Sequence, residues 1–151
     1  MATMDCFNRA LKFVLRWEGG YVNNPNDKGG ATNKGITQNT YNSWLKSKGK
    51  NLKDVRNITD EEVREIYYNN YWVKAGCPNM TDKFAILCFD TAVNMGVGRV
   101  QEFLKYAKYT NPDKFIIARI RKYSEFAKYG NQKIFLQGWL NRILDLEAFL
   151  G

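Results

Sequence analysis

Apolar residues in this chain recur at three- and four-residue intervals almost from end to end, and one segment, Tyr21 to Thr37, breaks the pattern. Stretches with that period bury their apolar faces by packing as helices. The chain is therefore expected to be mainly α, with one irregular or hairpin piece near its start. Phe7, Ala10, Leu11, Val14 and Leu15 make the first helical face, and Gly19-Gly20 ends it, leaving Glu18 in the last turn. Tyr41, Trp44 and Leu45 fit a short helix capped by Thr37 or Asn39 and ended by Gly49. Thr59 followed by Glu62 is a capping-box signature, opening a helix with Val63, Ile66, Tyr67, Tyr71 and Trp72 inward, down to Ala75-Gly76. After a Pro78-Asn79 turn, Phe84, Leu87, Cys88, Thr91 and Met95 face inward, then Val100, Phe103, Leu104 and Ala107. Asn111-Pro112 opens the helix of Phe115, Ile116, Arg119, Tyr123 and Phe126. The last helix carries Phe135, Trp139, Ile143, Leu146 and Phe149. That makes about seven helices.

A chain of 151 residues suffices for one compact domain, or two small halves sharing an interface. The only seam is near Gly76-Pro78, so residues 1–76 and 77–151 are read as two segments packed as one unit. The absence of histidine excludes His-based triads and imidazole general bases. Cys6, Cys77 and Cys88 form no CxxC pair, so neither a metal site nor a disulfide framework is expected; buried reduced thiols are. Lys and Arg total 23 against 15 Asp and Glu, a formal charge of +8. That surplus attracts polyanions: nucleic acid, anionic membrane or an acidic cell wall. No RNP-type aromatic pattern or helix-turn-helix accompanies it, so nucleic acid is not the expected partner. The N-terminal residues, interrupted by Asp5, Arg9, Lys12 and Arg16, do not read as a secretory leader. The protein is expected to be made in the cytoplasm as a monomer.

The segment from Tyr21 to Thr37 is where chemistry is expected, because long ordered loops in compact domains tend to be functional. It follows Glu18 and contains one further carboxylate, Asp27. A Glu at a helix end and an Asp on an adjoining turn can flank one cleft. Glycoside hydrolysis needs such a pair: one carboxyl donates a proton to the leaving oxygen, and another activates water or stabilises positive charge. Glu18, beside Trp17 and Tyr21 at the carbonyl end of its helix, suits the donor. Asp27, on a polar turn beside Lys28, suits the ionised partner.

Trp17-Glu18-Gly19-Gly20-Tyr21-Val22-Asn23, then Pro25-x-Asp27-x-Gly29-Gly30-x-Thr32-x-x-Gly35-Ile36-Thr37, resembles the N-terminal signature of glycoside hydrolase family 108, lysozyme-like N-acetylmuramidases and secretion activator proteins. Asp90-Thr91-Ala92-Val93-Asn94-Met95-Gly96, Gln101-x-Phe103-Leu104 and Phe135-Leu136-x-Gly138-Trp139-Leu140-Asn141-Arg142 resemble the peptidoglycan-binding half that usually follows it. The resemblance implies a lysozyme-like helical fold with a short Gly-rich hairpin after the first helix. It implies a catalytic segment over 1–76 and a peptidoglycan-binding segment over 77–151. The implied reaction is cleavage of the β-1,4 bond between N-acetylmuramic acid and N-acetylglucosamine, in lysis, wall remodelling or secretion, without a cofactor or metal.

By the same resemblance Glu18 is the catalytic residue. Asp27 and Thr32 hold the attacking water by analogy with phage lysozymes, and Thr37 rivals Thr32. Tyr21, Asn94 and Thr37 are the candidate substrate contacts. The implied partners are peptidoglycan glycan strands and a holin-like membrane protein for release, with action at the wall or periplasm. A non-catalytic wall-binding or secretion-accessory protein on the same scaffold is the alternative. Asp90, four residues before Asn94 on one helical face, is expected to pair with Arg142 or another cation and lock helix packing. Arg99, Arg119, Arg121 and Lys122 are read as solvated.

Overall fold

Helix α1 spans Met4–Glu18, with the Thr3 side chain accepting from the Cys6 N–H at its start. Its face of Cys6, Phe7, Ala10, Leu11, Phe13 and Val14 is buried. The structure, a computed structural model describing residues 1–151, then turns into a small hairpin. Strands β1 (Thr32–Asn33) and β2 (Ile36–Thr37) pair antiparallel, Thr32 opposite Thr37 and Asn33 opposite Ile36. Lys34 and Gly35 between them both have positive φ, 52° and 77°, as a two-residue turn matching the strand twist requires. Val22 bridges Thr32 from the other side.

Thr37, not Asn39, caps helix α2 (Gln38–Ser47), accepting from the Thr40 N–H. A 3-10 turn at Val55–Asn57 leads to α3 (Asp60–Tyr67), where the Thr59–Glu62 capping box forms as the spacing predicts. The chain then continues as a π-helical stretch, Tyr68–Val73, a local widening the apolar spacing did not reveal. A 3-10 turn at Cys77–Asn79 precedes α4 (Asp82–Met95). Then come α5 (Val97–Tyr106), α6 (Pro112–Phe126), a 3-10 turn at Gln132–Phe135 and α7 (Leu136–Leu150). Phe135, expected inward, lies in that turn and is half exposed.

Every residue of α4 from Phe84 to Ala92 is buried. A helix covered on all sides is the central one, and α1, α5, α6 and α7 pack around it. One continuous core runs from Cys6 to Leu146, across the Gly76 turn. Phe7, for example, makes edge contacts with Tyr68, Trp72 and Phe89 at 5.1, 5.2 and 5.6 Å. The three cysteines are free and buried. No helix is long and apolar enough to cross a membrane. The hairpin and α2 thus lie at one end of α1, and α7 returns to that same end. There Trp17 Nε1 donates to Asp145 of α7 at 2.7 Å.

Candidate active site

Glu18 is the last residue of α1, and Gly19, at φ 75°, turns the chain away from the helix. The hairpin turn folds back against the Glu18 stem. A Cβ on Gly35 would lie 2.9 and 3.0 Å from Glu18 Cγ and Cβ and inside the Tyr67 hydroxyl. Glycine alone lets the turn close there. The Tyr67 hydroxyl donates to the Lys34 carbonyl at 2.7 Å, pinning the turn, and its ring meets that of Tyr71 at 5.5 Å. Burial raises the pKa of both tyrosines, and the nearby Glu18 carboxylate adds to it. Both phenols are therefore held as neutral hydroxyls.

The opposite side of Glu18 is built from helices. Arg142 of α7 donates from Nη1 to Glu18 Oε1 at 2.9 Å. Its Nε and Nη2 bind Asp90 Oδ1 of α4 at 3.0 and 2.8 Å. Arg119 of α6 closes on the other oxygen, Nη2 lying 2.7 Å from Asp90 Oδ2 in an ion pair. Arg119 also donates to Thr91 Oγ1 at 3.0 Å and to the Tyr123 hydroxyl at 2.8 Å, which in turn donates to Asn94 Oδ1. Asp90 and Arg119 have no exposed surface.

Burial alone would raise the Asp90 pKa, but the two guanidiniums outweigh it and hold the carboxyl below its usual range. Burial likewise opposes the Arg142 charge, and Asp90 and then Glu18 reverse the effect and raise its pKa. Asp90 therefore pairs as the sequence predicts. Arg119, read as a solvated residue, is instead the second guanidinium of a buried network. A polar side chain at an apolar position of α6 is accommodated because Asp90, Thr91 and Tyr123 surround it.

The other site candidates fall into separate places. Asp27 sits in an exposed turn, its Oδ1 accepting from the Gly29 N–H at 2.9 Å. A Cβ on Gly29 would lie 3.1 Å from Thr37 Cγ2 and 3.5 Å from Asp27 Oδ1, so Asp27 and Thr37 flank the same glycine. Thr32 is tied in by the ladder, opposite Thr37 and bonded through its backbone to Val22 at 2.7 and 2.8 Å. The Thr37 hydroxyl is engaged with Thr40. Tyr21 turns to Arg56, which donates to its hydroxyl at 3.2 Å and stacks 4.5 Å over its ring. Asn94 stands at the far end of the Arg119 network. The structure thus joins Glu18 to the hairpin turn and to Arg142, and gathers Asp27, Thr32 and Thr37 beside the glycines.

Sequence reasoning missed the contact of Arg142 with Glu18, and the parts of Gly35 and Tyr67. No spacing signals the first, because 124 residues separate the partners. Only Oε1 of Glu18 is held, and its side chain keeps 22% exposure. A neutral carboxyl can still accept the Arg142 bond through Oε1 while carrying its proton on Oε2. No group of three or more Asp, Glu, Cys or His side chains is placed to hold a metal ion.

Comparison with known proteins bears on this arrangement. No curated protein matches the chain. The structure of Brucella abortus SagA superposes with a TM-score of 0.76 at 23% identity, over 98% of this chain and 95% of that one. The shared architecture is the mainly α, lysozyme-like fold with a short hairpin after the first helix. The family described as Glycosyl hydrolase 108 matches residues 11–96, more than half of the chain, including Glu18 and the whole hairpin segment. The chain belongs to the Glycosyl hydrolase 108 family.

Proposed function

We propose that this protein is a peptidoglycan hydrolase, an N-acetylmuramidase, with Glu18 as its general acid. The observation that carries the reading is the Glu18 carboxyl itself: partly exposed, set against a glycine turn, and gripped by Arg142 through one oxygen only. The family membership supports a glycan substrate. The Oε2 proton passes to the oxygen linking muramic acid C1 to glucosamine C4. The C1–O bond breaks, glucosamine leaves with its C4 hydroxyl, the oxocarbenium-like C1 takes up water, and the water's proton leaves to a carboxylate. Asp27, an exposed carboxylate on the loop that follows α1, is the acceptor in this reading, with Thr32 or Thr37 positioning the water. The charge of +8 favours approach to an anionic wall. Residues 77–151 supply the wall-binding face, Asn94 among its contacts, and release from the cytoplasm runs through a holin-like pore.

One observation favours a second reading. Arg142 bonds Glu18 at 2.9 Å with the same guanidinium that grips Asp90, so the contact ties the end of α1 to α4 and α7. On that reading the pair is architectural and the protein binds the wall without cutting it. Product analysis separates the two. Purified peptidoglycan is incubated with the protein, and the soluble products are reduced and identified by mass spectrometry. Reduced muramic acid at the new ends is the expected result. Reduced glucosamine ends would move the cut to the other glycosidic bond. Wall binding without soluble product would establish the binding scaffold.

A further inference from the structure

A groove of about 400 Å³ runs along α2, lined by Asn39, Thr40, Ser43, Trp44, Ser47 and Asn70. This falls in the range of pockets that hold small organic ligands. Its chemistry differs from the rest of the surface: in a chain of net charge +8, none of these six side chains is charged. Amides and hydroxyls each offer a donor and an acceptor at close range. That composition suits a neutral ligand rich in hydroxyl and acetamido groups.

Part of the lining is fixed and part is free. Asn39 Nδ2 donates to the Lys28 carbonyl at 3.4 Å, Thr40 Oγ1 accepts from Thr37 at 3.0 Å, and Ser47 Oγ donates to the Trp44 carbonyl at 2.6 Å. The Ser43 hydroxyl and Asn70 amide take no part in the protein's internal hydrogen bonds. Trp44 is 8% exposed and its indole N–H is buried without an acceptor, which is rare in folded proteins. Its ring stacks on Tyr41 and lies beneath Lys48 and Lys50, so a ligand would meet its edge and not its face.

The groove is tied to the loop that carries Asp27. Asn39 bonds through its backbone N–H to the Gly29 carbonyl of that loop at 3.2 Å.

We infer that the α2 groove is a subsite for one N-acetylated hexosamine unit of the glycan strand, read by Ser43, Asn70 and Asn39 through hydrogen bonds. The inference rests on the glycan reading above. Its test uses the isotope-labelled full chain carrying Glu18→Gln, titrated with tetra-N-acetylchitotetraose and followed by backbone and indole N–H resonances. Asn39, Ser43, Asn70 and the Trp44 indole are expected to shift along one saturating curve. Asn70→Ala, and Ser43→Trp at an exposed position that fills the groove, each weaken binding by about tenfold. Shifts confined to the surroundings of Glu18, unchanged affinity in both variants, or no shift at about 10 mM ligand would each overturn the subsite. Product release by the unmodified chain, run in parallel, keeps the two readings apart. Release with a silent groove removes the subsite alone, and a responsive groove without release removes hydrolysis and keeps the sugar site.

Discussion

On the hairpin side of Glu18 the chain is shaped by backbone: Gly19, Gly30 and Gly35 at positive φ, a two-residue turn, and Asp27 bonded to a nearby amide. On the helical side it is shaped by buried charge, with Asp90, Arg119 and Arg142 contributed by α4, α6 and α7. On the first side the Asp27 turn is exposed and held by local bonds, while the second side is sealed and held by partners far apart in sequence. A site divided in this way can let the loop adapt to a polymer while the acid stays fixed from behind. Buried ion networks cost much of their Coulomb gain in desolvation, so their value here is in fixing Arg142 against Glu18 more than in net stability.

The difference can be broken most forcefully from the helical side. Asp90→Asn replaces the carboxylate shared by two buried guanidiniums with a neutral amide, and the expected loss is about 3–5 kcal/mol. For a chain of this size that lowers Tm by about 10 °C in thermal circular dichroism. A fall of under about 2 °C would show that charge does not hold this side. On the hairpin side, Gly35→Ala combines a φ of 77° with a collision at Tyr67. It is expected to cost about 2 kcal/mol and to lower hydrolysis by displacing Glu18. Gly19→Ala, with a similar φ but open space around it, isolates the backbone effect at about 1 kcal/mol.

Acid sharpens the comparison further. The net lowering of the Asp90 pKa means that its stabilisation is complete above the unfolded value, near 4, and drains away as pH falls through the lower folded value. Glu62 behaves alike: burial works against its charge, but the bonds from Thr59 and Tyr41 prevail and lower its pKa. Urea titrations should therefore give a flat stability from about pH 5 to 8, where no histidine titrates, and a fall below about pH 4. Asp90→Asn should flatten that fall. A midpoint near pH 6.5 instead would contradict the assignment. The smallest stability effect belongs to Asp27→Ala, within about 1 kcal/mol because only an exposed turn bond is lost. Muropeptide release should nonetheless drop, and an unchanged rate would free Asp27 of any part in the reaction.

What could be read in advance follows from the range of each interaction. Helix faces, the Thr59 capping box and the Asn111-Pro112 start depend on neighbours within a turn or so, and the chain states them directly. The hairpin was legible as a break with glycines, yet the reason Gly35 is glycine lies in Tyr67 and Glu18, remote in sequence. Asp90 with Arg142 could be guessed because a buried carboxylate on a helix face needs a cation. Arg119 could not, since an arginine amid apolar residues on α6 reads equally as solvated until Asp90 is placed beside it. The π-helical stretch left no mark in the spacing either, because Tyr71 and Trp72 fit an ordinary helix as well.

The most direct test of the account is the rate at which peptidoglycan yields new reducing ends with the unmodified chain and with Glu18→Gln, both verified as folded by circular dichroism. Glutamine keeps the side-chain shape and can accept the Arg142 bond while losing the transferable proton. The account predicts a fall of at least about a hundredfold with the fold intact. Equal rates from the two proteins would contradict it, leaving the Glu18–Arg142 contact as architecture and placing the proton donor elsewhere.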